Sequence, residues 1–409
     1  MKPAAKEKLL IAVQRFPPAG GIGARRWAKF AKYLSAAGLQ VEVLCAKNDE
    51  KGVGQSPWTA DVEHIPIHHY AHRYPKALQG KPQGLFEKLA YRNALLACRL
   101  AGKGNPYDRA LYDREAFTAA LRSLLDTRQY RAVALSGAPF NLLYYAAHLR
   151  NSYPEILFMA DFRDPWIGGH TYGYTALSPS RREVEAGKEH LVMQRFDVLS
   201  TPWPGQLEEW GRRYPQLSQK CVLLPHCYDL DDIRRAQPHE DSTPPRLAYG
   251  GNLYTGLNEA YTSLAREARN GLLQVDVWAS ENVEELSGLA HASFRLHPPA
   301  ASPDFFAEAA RSHALLYPIP EALRDGFPTK LLEYAATGLP LVAFGWEGRL
   351  SRIIEERGLG SFTSLHSGEL NWMQMLTSAS EAKPDRRWID SHEASVVCKR
   401  LMGLIEKRK

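Results

Sequence analysis

The chain has 409 residues, a length that predicts two domains or three small ones. Hydrophobic residues make up 44% and charged residues 23%, with 30 Gly and 27 Pro, which excludes disordered, collagenous and coiled-coil proteins. No run approaches the length of a membrane span and no signal-peptide pattern is present, so a soluble cytoplasmic protein is expected. The 5 cysteines have no C-x-x-C spacing, which argues against a disulfide framework and a zinc cage.

The net charge of +6 is unevenly distributed. Residues 1–160 carry 23 Lys and Arg against 12 Asp and Glu, whereas the remaining residues have a small acidic excess. A basic N-terminal half suits nucleic acid, an anionic membrane surface or a phosphate-bearing substrate, and charge alone does not choose among them.

The N-terminal part predicts alternating strands and helices. An apolar strand from Leu9 to Val13 leads through a glycine loop into a helix over Ala24–Ala37 and a strand from Val41 to Leu44, which is a βαβ unit. The alternation continues with strands at Ala132–Ser136, Ile156–Ala160, Asp197–Ser200 and Cys221–Leu224 and a helix at Phe140–Asn151. Such units predict a mostly parallel sheet covered by helices on both faces.

A polar, proline-bearing stretch over 229–245 has the composition of an interdomain linker. A second α/β set follows it, with strands at Arg246–Gly250, Leu273–Trp278, Ala314–Tyr317 and Leu341–Phe344 and helices at Asn258–Arg269, Ser302–Arg311 and Thr329–Thr337. The sequence therefore predicts an α/β fold of two Rossmann-like, doubly wound domains that face each other across a cleft. Ligands are expected at the carboxyl ends of the strands.

The first glycine loop follows the first strand and opens a helix. The backbone amides of Gly20 and Gly21, together with the helix dipole, are suited to an anionic group. The spacing is not G-x-G-x-x-G and no acidic residue ends the second strand, so a nicotinamide cofactor is not expected. The alternative interpretation of the loop is a tight turn.

Three charged residues, Asp161, Arg163 and Asp164, follow the strand that ends at Ala160. Charges placed at a strand's carboxyl end are costly unless they bind a ligand or one another. Ligand contact is the favoured interpretation, and an Arg163–Asp164 pair that fastens the loop is the alternative.

The segment from Leu323 to Pro340 contains two carboxylates eight residues apart, Asp325 and Glu333, with Lys330 between them at a helix start. Carboxylates accept hydrogen bonds from paired hydroxyls, as on ribose or a sugar, and a lysine beside a helix N-terminus suits a phosphate. The alternative is an ordinary solvated amphipathic helix.

Two patterns resemble metal sites and receive little weight. One is the D-x-D at Asp229 and Asp231, and the other is the set of loop histidines His64, His68, His69 and His72, which no flanking acid or cysteine completes. No metal site is expected.

The chain resembles the GT-B glycosyltransferases, in particular family 4 and its relatives, in four segments that occur in the same order. These are FPPAGGIGARRWAKFAKYLSAAG at 16–38, DFRDPW at 161–166, LPHCYDLDDI at 224–233 and GFPTKLLEYAATGLPLV at 326–342. The last segment is the most specific.

The resemblance implies roles for individual residues. The family's two acids fall on Asp325, where Glu is usual, as a donor-sugar contact and on Glu333 as the ribose contact. Asp161 is placed against the donor sugar or the acceptor hydroxyl, and Arg163 and Asp164 are counted with the donor site. The family's phosphate-binding Arg and Lys are missing from the glycine phrase that contains Gly251 and Asn252, and the nearest substitutes are Lys330 and Arg324.

The resemblance also implies an activity. It is sugar transfer from a nucleotide-sugar donor to a hydroxyl acceptor, lipid-linked or glycan, in envelope polysaccharide or glycoconjugate biosynthesis, with retention and with neither metal nor cofactor. Residues 1–228 are then the acceptor-side domain, 229–245 the linker, 246–387 the donor domain and 388–409 a helix that packs back on the first domain. The alternatives are a non-catalytic nucleotide- or glycan-binding protein and a nucleotide-sugar epimerase. A nucleic-acid partner is not expected.

A peripheral contact with an anionic inner membrane face is also predicted. It draws on the basic N-terminal half, the helix with Trp27, Phe30 and Tyr33, and the aromatic and basic stretch Arg73–Arg99. The first helix is interpreted either as a domain-surface helix with snorkelling cations or as a monotopic membrane contact.

Overall fold

The computed structural model describes residues 7–20, 22–47, 56–80, 82, 84–169, 172–233, 235, 243–279 and 282–406. It divides into two compact units: unit 1 comprises Met1–Pro225 with Cys398–Lys409, and unit 2 comprises His226–Val397. The segment 229–245, predicted as a linker, falls within unit 2, and its residues 234 and 236–242 lie outside the described part of the chain.

Unit 1 contains a seven-stranded parallel sheet in the order β3-β2-β1-β4-β5-β6-β7. Its strands are β1 (Lys8–Val13), β2 (Gln40–Ala46), β3 (Ile67–Tyr70), β4 (Ala132–Gly137), β5 (Leu157–Phe162), β6 (Val198–Thr201) and β7 (Cys221–Leu223). Its helices are α1 (Ile22–Ala36), α2 (Leu85–Ala101), α3 (Arg114–Thr127), α4 (Asn141–Ala147), α5 (Pro179–Arg195) and α6 (Pro204–Arg213).

Unit 2 contains a six-stranded parallel sheet in the order β10-β9-β8-β11-β12-β13. Its strands are β8 (Arg246–Gly250), β9 (Gln274–Trp278), β10 (Phe294–His297), β11 (Ala314–Ile319), β12 (Leu341–Gly345) and β13 (Gly360–Ser364). Its helices are α7 (Asn258–Arg269), α8 (Glu284–Ser287), α9 (Ser302–Ala309), α10 (Thr329–Thr337), α11 (Arg349–Glu356), α12 (Trp372–Ser380) and α13 (Arg386–Asp390), and α14 (Ala394–Glu406) contains the boundary between the units.

Helices cover both faces of the unit 2 sheet, as a parallel sheet requires. One core cluster joins the strands to α7 and α12, and the other joins them to α9, α10 and α11. Because α10 follows the apolar pattern of its sequence, it buries Leu331, Leu332 and Tyr334 against the sheet. This packing fixes the direction in which its first turn faces.

A buried carboxylate organises unit 1. Asp161 in β5 has no exposed surface. Its Oδ2 accepts hydrogen bonds from Arg26 Nε at 2.9 Å, Trp27 Nε1 at 2.9 Å and Ser136 Oγ at 3.3 Å. Its Oδ1 accepts from Arg26 Nη2 at 3.0 Å and Ser200 Oγ at 2.9 Å. One side chain therefore ties α1 to β4, β5 and β6.

Arg26, the partner of this carboxylate, also forms hydrogen bonds with the protein backbone. The Arg26 guanidinium, 4% exposed, also donates to the backbone oxygens of Leu224 and Pro225, each at 2.9 Å. A buried charge pair is tolerated only when its remaining donors and acceptors are satisfied, and these contacts satisfy them.

The membrane interpretation of α1 is wrong. Arg25, Arg26 and Lys29 are 3%, 4% and 0% exposed, and Trp27 and Phe30 are 1% and 0% exposed. These cations are held by the protein: Lys29 Nζ, for example, lies 2.6 Å from Asp61 Oδ2. The charge of α1 is therefore used inside the fold, where the sequence pattern alone gave no partner for it.

Replacing Asp161 by Asn should destabilise the protein, because Arg26 would be left as a buried charge without its counterion. Breaking one side of such a pair costs about 3–5 kcal/mol. Urea unfolding measures the loss, with Glu209→Gln as the control, since that side chain is 46% exposed and its ion pair with Arg213 contributes about 1 kcal/mol or less. Wild-type stability in Asp161→Asn would contradict the structural role.

Candidate functional site

The glycine phrase at the end of β8 lies against the start of α10. Gly251 has φ +140°, a conformation that favours glycine, and its backbone N–H donates to the Trp278 carbonyl at 2.8 Å. A Cβ atom at Gly251 would collide with the Nζ atom of Lys330. The two residues, predicted separately as donor-binding, are thus in close contact.

Two tyrosines hold this arrangement. The Tyr334 hydroxyl accepts a hydrogen bond from the Gly250 N–H at 2.8 Å and donates to the Gly250 carbonyl at 3.1 Å, so α10 is fastened to the end of β8. Lys330 Nζ donates to the Tyr249 hydroxyl at 3.3 Å and lies 4.6 Å from the centre of that ring. The ammonium group therefore lies against the face of this aromatic ring.

This environment changes the acidity of Lys330. Burial lowers the pKa of its ammonium group to about 8, and the nearby Glu333 carboxylate opposes part of that shift. Glu333 is half-buried and stands one helical turn beyond Lys330 in α10. A partly desolvated cation gains more from an incoming anion than a fully hydrated one does. Asn252, next to Gly251, is exposed.

Arg324 and Asp325 occupy a different environment. Both are exposed, and Arg324 Nε lies 3.5 Å from Asp325 Oδ2. Asp325 Oδ1 accepts a hydrogen bond from the backbone N–H of Arg349 at 3.0 Å, at the start of α11. The Asp325 side chain is 65% exposed and is open to a ligand. The structure shows these two residues in contact with each other and with α11.

The charged loop after β5 forms the network that was the alternative interpretation. Arg163 donates to Asp164 Oδ2, to the Tyr172 hydroxyl and to the Gly23 carbonyl, each at 3.0 Å. The Tyr172 hydroxyl donates to Asp164 at 2.7 Å. Arg163 thus packs on the first turn of α1.

The burial of Asp161 changes its interpretation. Asp161 has no exposed surface and its carboxylate oxygens are engaged by α1, β4 and β6, so it anchors the sheet. We assign it that role in place of the predicted contact with the donor sugar or the acceptor hydroxyl. Gly20 is buried just before α1, and Gly21 lies outside the described residues. The histidines singled out from the sequence include two with carboxylate partners, His68 with Glu42 at 2.8 Å and His72 with Asp113 at 2.7 Å.

Unit 1 also contains a pocket of about 340 Å³ at the carboxyl ends of its central strands. Gln14, Arg15 and Arg109 line it beside Arg163. Sequence reasoning missed the first three, because their segments are brought together only by the fold. A broader depression of about 770 Å³ in unit 2 borders the N-terminal half of α7, and none of the predicted donor-binding residues lines it.

No protein-family model and no curated protein matches the chain. Solved structures do match it. The lipopolysaccharide outer core galactosyltransferase WaaB in its apo form has 12% identity and a TM-score of 0.60 and covers 98% of this chain and 100% of its own. HepE of Anabaena, in complex with UDP and glucose, has 12% identity and a TM-score of 0.56, with coverage of 98% and 100%. The catalytic domain of starch synthase IV from Arabidopsis thaliana, bound to ADP and acarbose, has 12% identity and a TM-score of 0.59, with coverage of 98% and 99%.

At this level of identity the likeness establishes the fold. It extends over nearly the whole chain and so includes both units. The predicted fold class is confirmed: the chain has the two-domain α/β architecture of the GT-B glycosyltransferases.

Proposed function

We propose that the protein is a glycosyltransferase that moves a sugar from a nucleotide-sugar donor to a hydroxyl acceptor. The observation that carries the proposal is the contact between Gly251 and Lys330, with Glu333 one turn further along α10. Two of the similar structures are described with UDP and glucose and with ADP. The rest of the proposal follows from the chemistry of these residues.

The diphosphate of the donor would bind at Lys330. The ammonium lies beside the unhindered backbone of Gly251 and on the first turn of α10, where free backbone N–H groups and the helix dipole also favour an anion. Lys330 therefore takes the place of the cations missing from the glycine phrase. Glu333 then accepts hydrogen bonds from the two ribose hydroxyls.

The chemistry that fits this site is departure of the nucleoside diphosphate without a metal ion. The bond between the anomeric carbon and the phosphate oxygen breaks while the acceptor oxygen bonds to the same carbon. The electron pair stays on the diphosphate, which takes up the proton of the acceptor hydroxyl, and Lys330 and the helix amides stabilise the charge that develops there. Retention of anomeric configuration is part of the proposal. Asp325, exposed beside α11, remains the proposed contact for the donor sugar, and Arg324 an accessory cation.

The acceptor is proposed to be a lipid-linked or glycan hydroxyl in envelope polysaccharide or glycoconjugate biosynthesis. The rival candidates are a non-catalytic nucleotide- or glycan-binding protein and a nucleotide-sugar epimerase. The absence of Arg and Lys from the glycine phrase favours the binding protein. The cation of Lys330 beside Gly251 suits diphosphate binding in either protein, so donor hydrolysis is the measurement that distinguishes them.

A membrane contact is proposed for α2 rather than α1. Large apolar side chains are exposed along α2: Leu85 84%, Phe86 91%, Leu89 58%, Leu96 55% and Leu100 80%. The four leucines have helical spacing and share one face, which Phe86 extends. No helix in the described part of the chain has the length and apolar character needed to cross a bilayer.

The charge of α2 indicates what covers this face. Lys88, Arg92 and Arg99 are exposed along one flank of the leucine stripe, and Glu87 projects to the opposite side of the helix. An apolar stripe with a row of cations is the pattern of a helix that lies in the plane of an anionic bilayer surface. We therefore propose an anionic membrane face as the partner of α2.

Loss of either donor contact should weaken nucleotide binding. Removing one member of a buried charged contact costs about 2–4 kcal/mol, or thirtyfold or more in affinity. Titration calorimetry with UDP and ADP should show this for Lys330→Met and Glu333→Gln, with Lys383→Met, outside the site, as the control. In the nucleotide-free protein the pKa of Lys330 is about 8, so the affinity of the wild-type protein for the nucleotide should fall as the pH rises above 8. The Lys330→Met variant should lose that pH dependence. Equal affinity in all proteins would contradict the site.

Donor hydrolysis separates the transferase from the binder. Incubation with a panel of nucleotide sugars without an acceptor should release free sugar slowly, and EDTA should not abolish it because Lys330 replaces the metal. NMR of the first product should show the anomeric configuration of the donor. Binding without any turnover would favour the non-catalytic protein, and strict dependence on Mg²⁺ or Mn²⁺ would overturn the metal-independent mechanism.

The α2 surface is testable with vesicles. The protein should cosediment with vesicles that contain anionic lipid, and binding should decrease as salt increases. The double variant Leu89→Asp/Leu96→Asp should bind at least tenfold more weakly, because burying one leucine contributes about 1.5–3 kcal/mol. Leu272→Asp, which changes a leucine that is 45% exposed in unit 2, is the matched control. Equal binding to neutral and anionic vesicles would rule out the proposed contact.

A further inference from the structure

The pocket in unit 1 is formed by the segments that leave three neighbouring strands. Gln14 follows β1, Phe140 lies just beyond β4, and Arg163 follows β5. The carboxyl ends of parallel strands are where open α/β sheets bind ligands. Its volume of about 340 Å³ suits a small molecule or the end group of a larger one.

The charges that line the pocket are mostly positive. Three guanidinium groups, of Arg15, Arg109 and Arg163, stand against one carboxylate, that of Asp108. Arg163 is ion-paired with Asp164 and also donates to the Tyr172 hydroxyl and the Gly23 carbonyl, so its guanidinium group is fixed in position. Guanidinium groups keep their charge at every accessible pH and match oxyanions in geometry.

Asp108 is committed to the protein backbone. Its Oδ2 accepts hydrogen bonds from the N–H groups of Phe140 at 2.8 Å and Asn141 at 3.1 Å, and its Oδ1 accepts from Ala110 at 2.9 Å. Burial raises the pKa of this carboxyl to about 6, helped by Glu185 and opposed by Lys188. Asp108, the one acid among the described lining residues, therefore shapes the wall of the pocket through these backbone contacts.

Gln14 supplies an independent sign of a ligand. Its side chain is 6% exposed and lines the pocket, yet its buried Nε2 has no hydrogen-bond partner among the described residues. A buried N–H donor without an acceptor is costly and calls for an explanation. An oxyanion in the pocket would accept from Gln14 and face the arginines at the same time.

The rest of the lining is suited to a sugar or polyol. Val13, Pro139 and Phe140 give an apolar surface, and the Tyr107 and Tyr172 rings border it. Aromatic and apolar surfaces of this kind pack against the less polar face of a sugar ring. The pocket therefore combines one anion-binding end with an apolar wall.

We propose that this pocket binds a phosphate group carried on a sugar or polyol. Gln14, Arg15 and Arg109 contact the phosphate beside Arg163. The inference deepens the proposed function, on which it rests for its biological meaning: the acceptor is phosphate-bearing. The phosphate belongs either to a soluble sugar phosphate or to a phospholipid headgroup.

The test is calorimetric titration of the full chain in the Lys330→Met background, which removes the proposed donor phosphate contact. The probes are glucose 6-phosphate, a soluble monoester, and glycerophosphoinositol, a phospholipid headgroup without acyl chains. Uncharged glucose and inositol are the matched probes. At least one phosphate probe should bind while its uncharged counterpart does not, and the preferred probe distinguishes the two sources.

Variants locate the binding. Gln14→Leu and Arg109→Gln should each weaken the phosphate probe by about ten- to hundredfold, and Gln14→Glu, which keeps the shape but adds a negative charge, should abolish binding. When the same three substitutions are made in a chain that retains Lys330, each variant should bind UDP with the affinity of the wild-type protein. Arg311→Gln, a change in unit 2, should have no effect on the phosphate probe.

The outcomes separate this inference from the proposed function. If the phosphate probe binds and the pocket variants abolish that binding, the inference is supported even when no donor is hydrolysed. In that case only the assignment of the phosphate-bearing ligand as the acceptor fails. Phosphate binding that is unchanged in Gln14→Glu and Arg109→Gln, or no binding of either phosphate probe, overturns it.

Discussion

The buried pair of Asp161 and Arg26 is the constraint on which unit 1 depends. Two opposite charges without access to water are stable only if the donors and acceptors around them are satisfied. Here the partners come from α1, two strands and the chain just beyond β7. Since Asp161 lies at the carboxyl end of β5, these contacts also fix the start of the loop that carries Arg163. The pair therefore supports one wall of the pocket.

Unit 2 also holds a partly buried charge, that of Lys330, but in a different environment. Lys330 is packed against Tyr249 and close to Gly251, and its contact with the backbone depends on the missing side chain at that glycine. Desolvation that lowers the pKa of a cation is an unfavourable interaction in the free protein, and an anion would relieve it. The fold thus keeps a cation poised at the end of β8, whereas Asp161 and Arg26 neutralise each other within the protein.

The sequence predicted the elements with strong signals. Arg246–Gly250, Asn258–Arg269 and Thr329–Thr337 have the predicted bounds, because apolar periodicity and flanking Gly or Pro mark their ends. Among the strands it missed β3, β10 and β13, which are short and largely half-buried or exposed and therefore lack an apolar run. It identified Lys330 and Glu333 by local spacing. It could not assign Asp161, whose partner Arg26 lies 135 positions earlier, nor α1, whose cations look solvated until their partners are known.

The two anion-binding regions that we infer use different cations, and this difference has a physical consequence. A lysine with a pKa of about 8 changes its charge within the accessible pH range, so its attraction for a diphosphate depends on pH and on what else is bound nearby. The guanidinium groups of the unit 1 pocket stay charged, so their attraction for a phosphate group is constant. A site that must hold a leaving group and then release it benefits from a cation whose proton affinity is adjustable. A site that only has to position a substrate is better served by fixed charge.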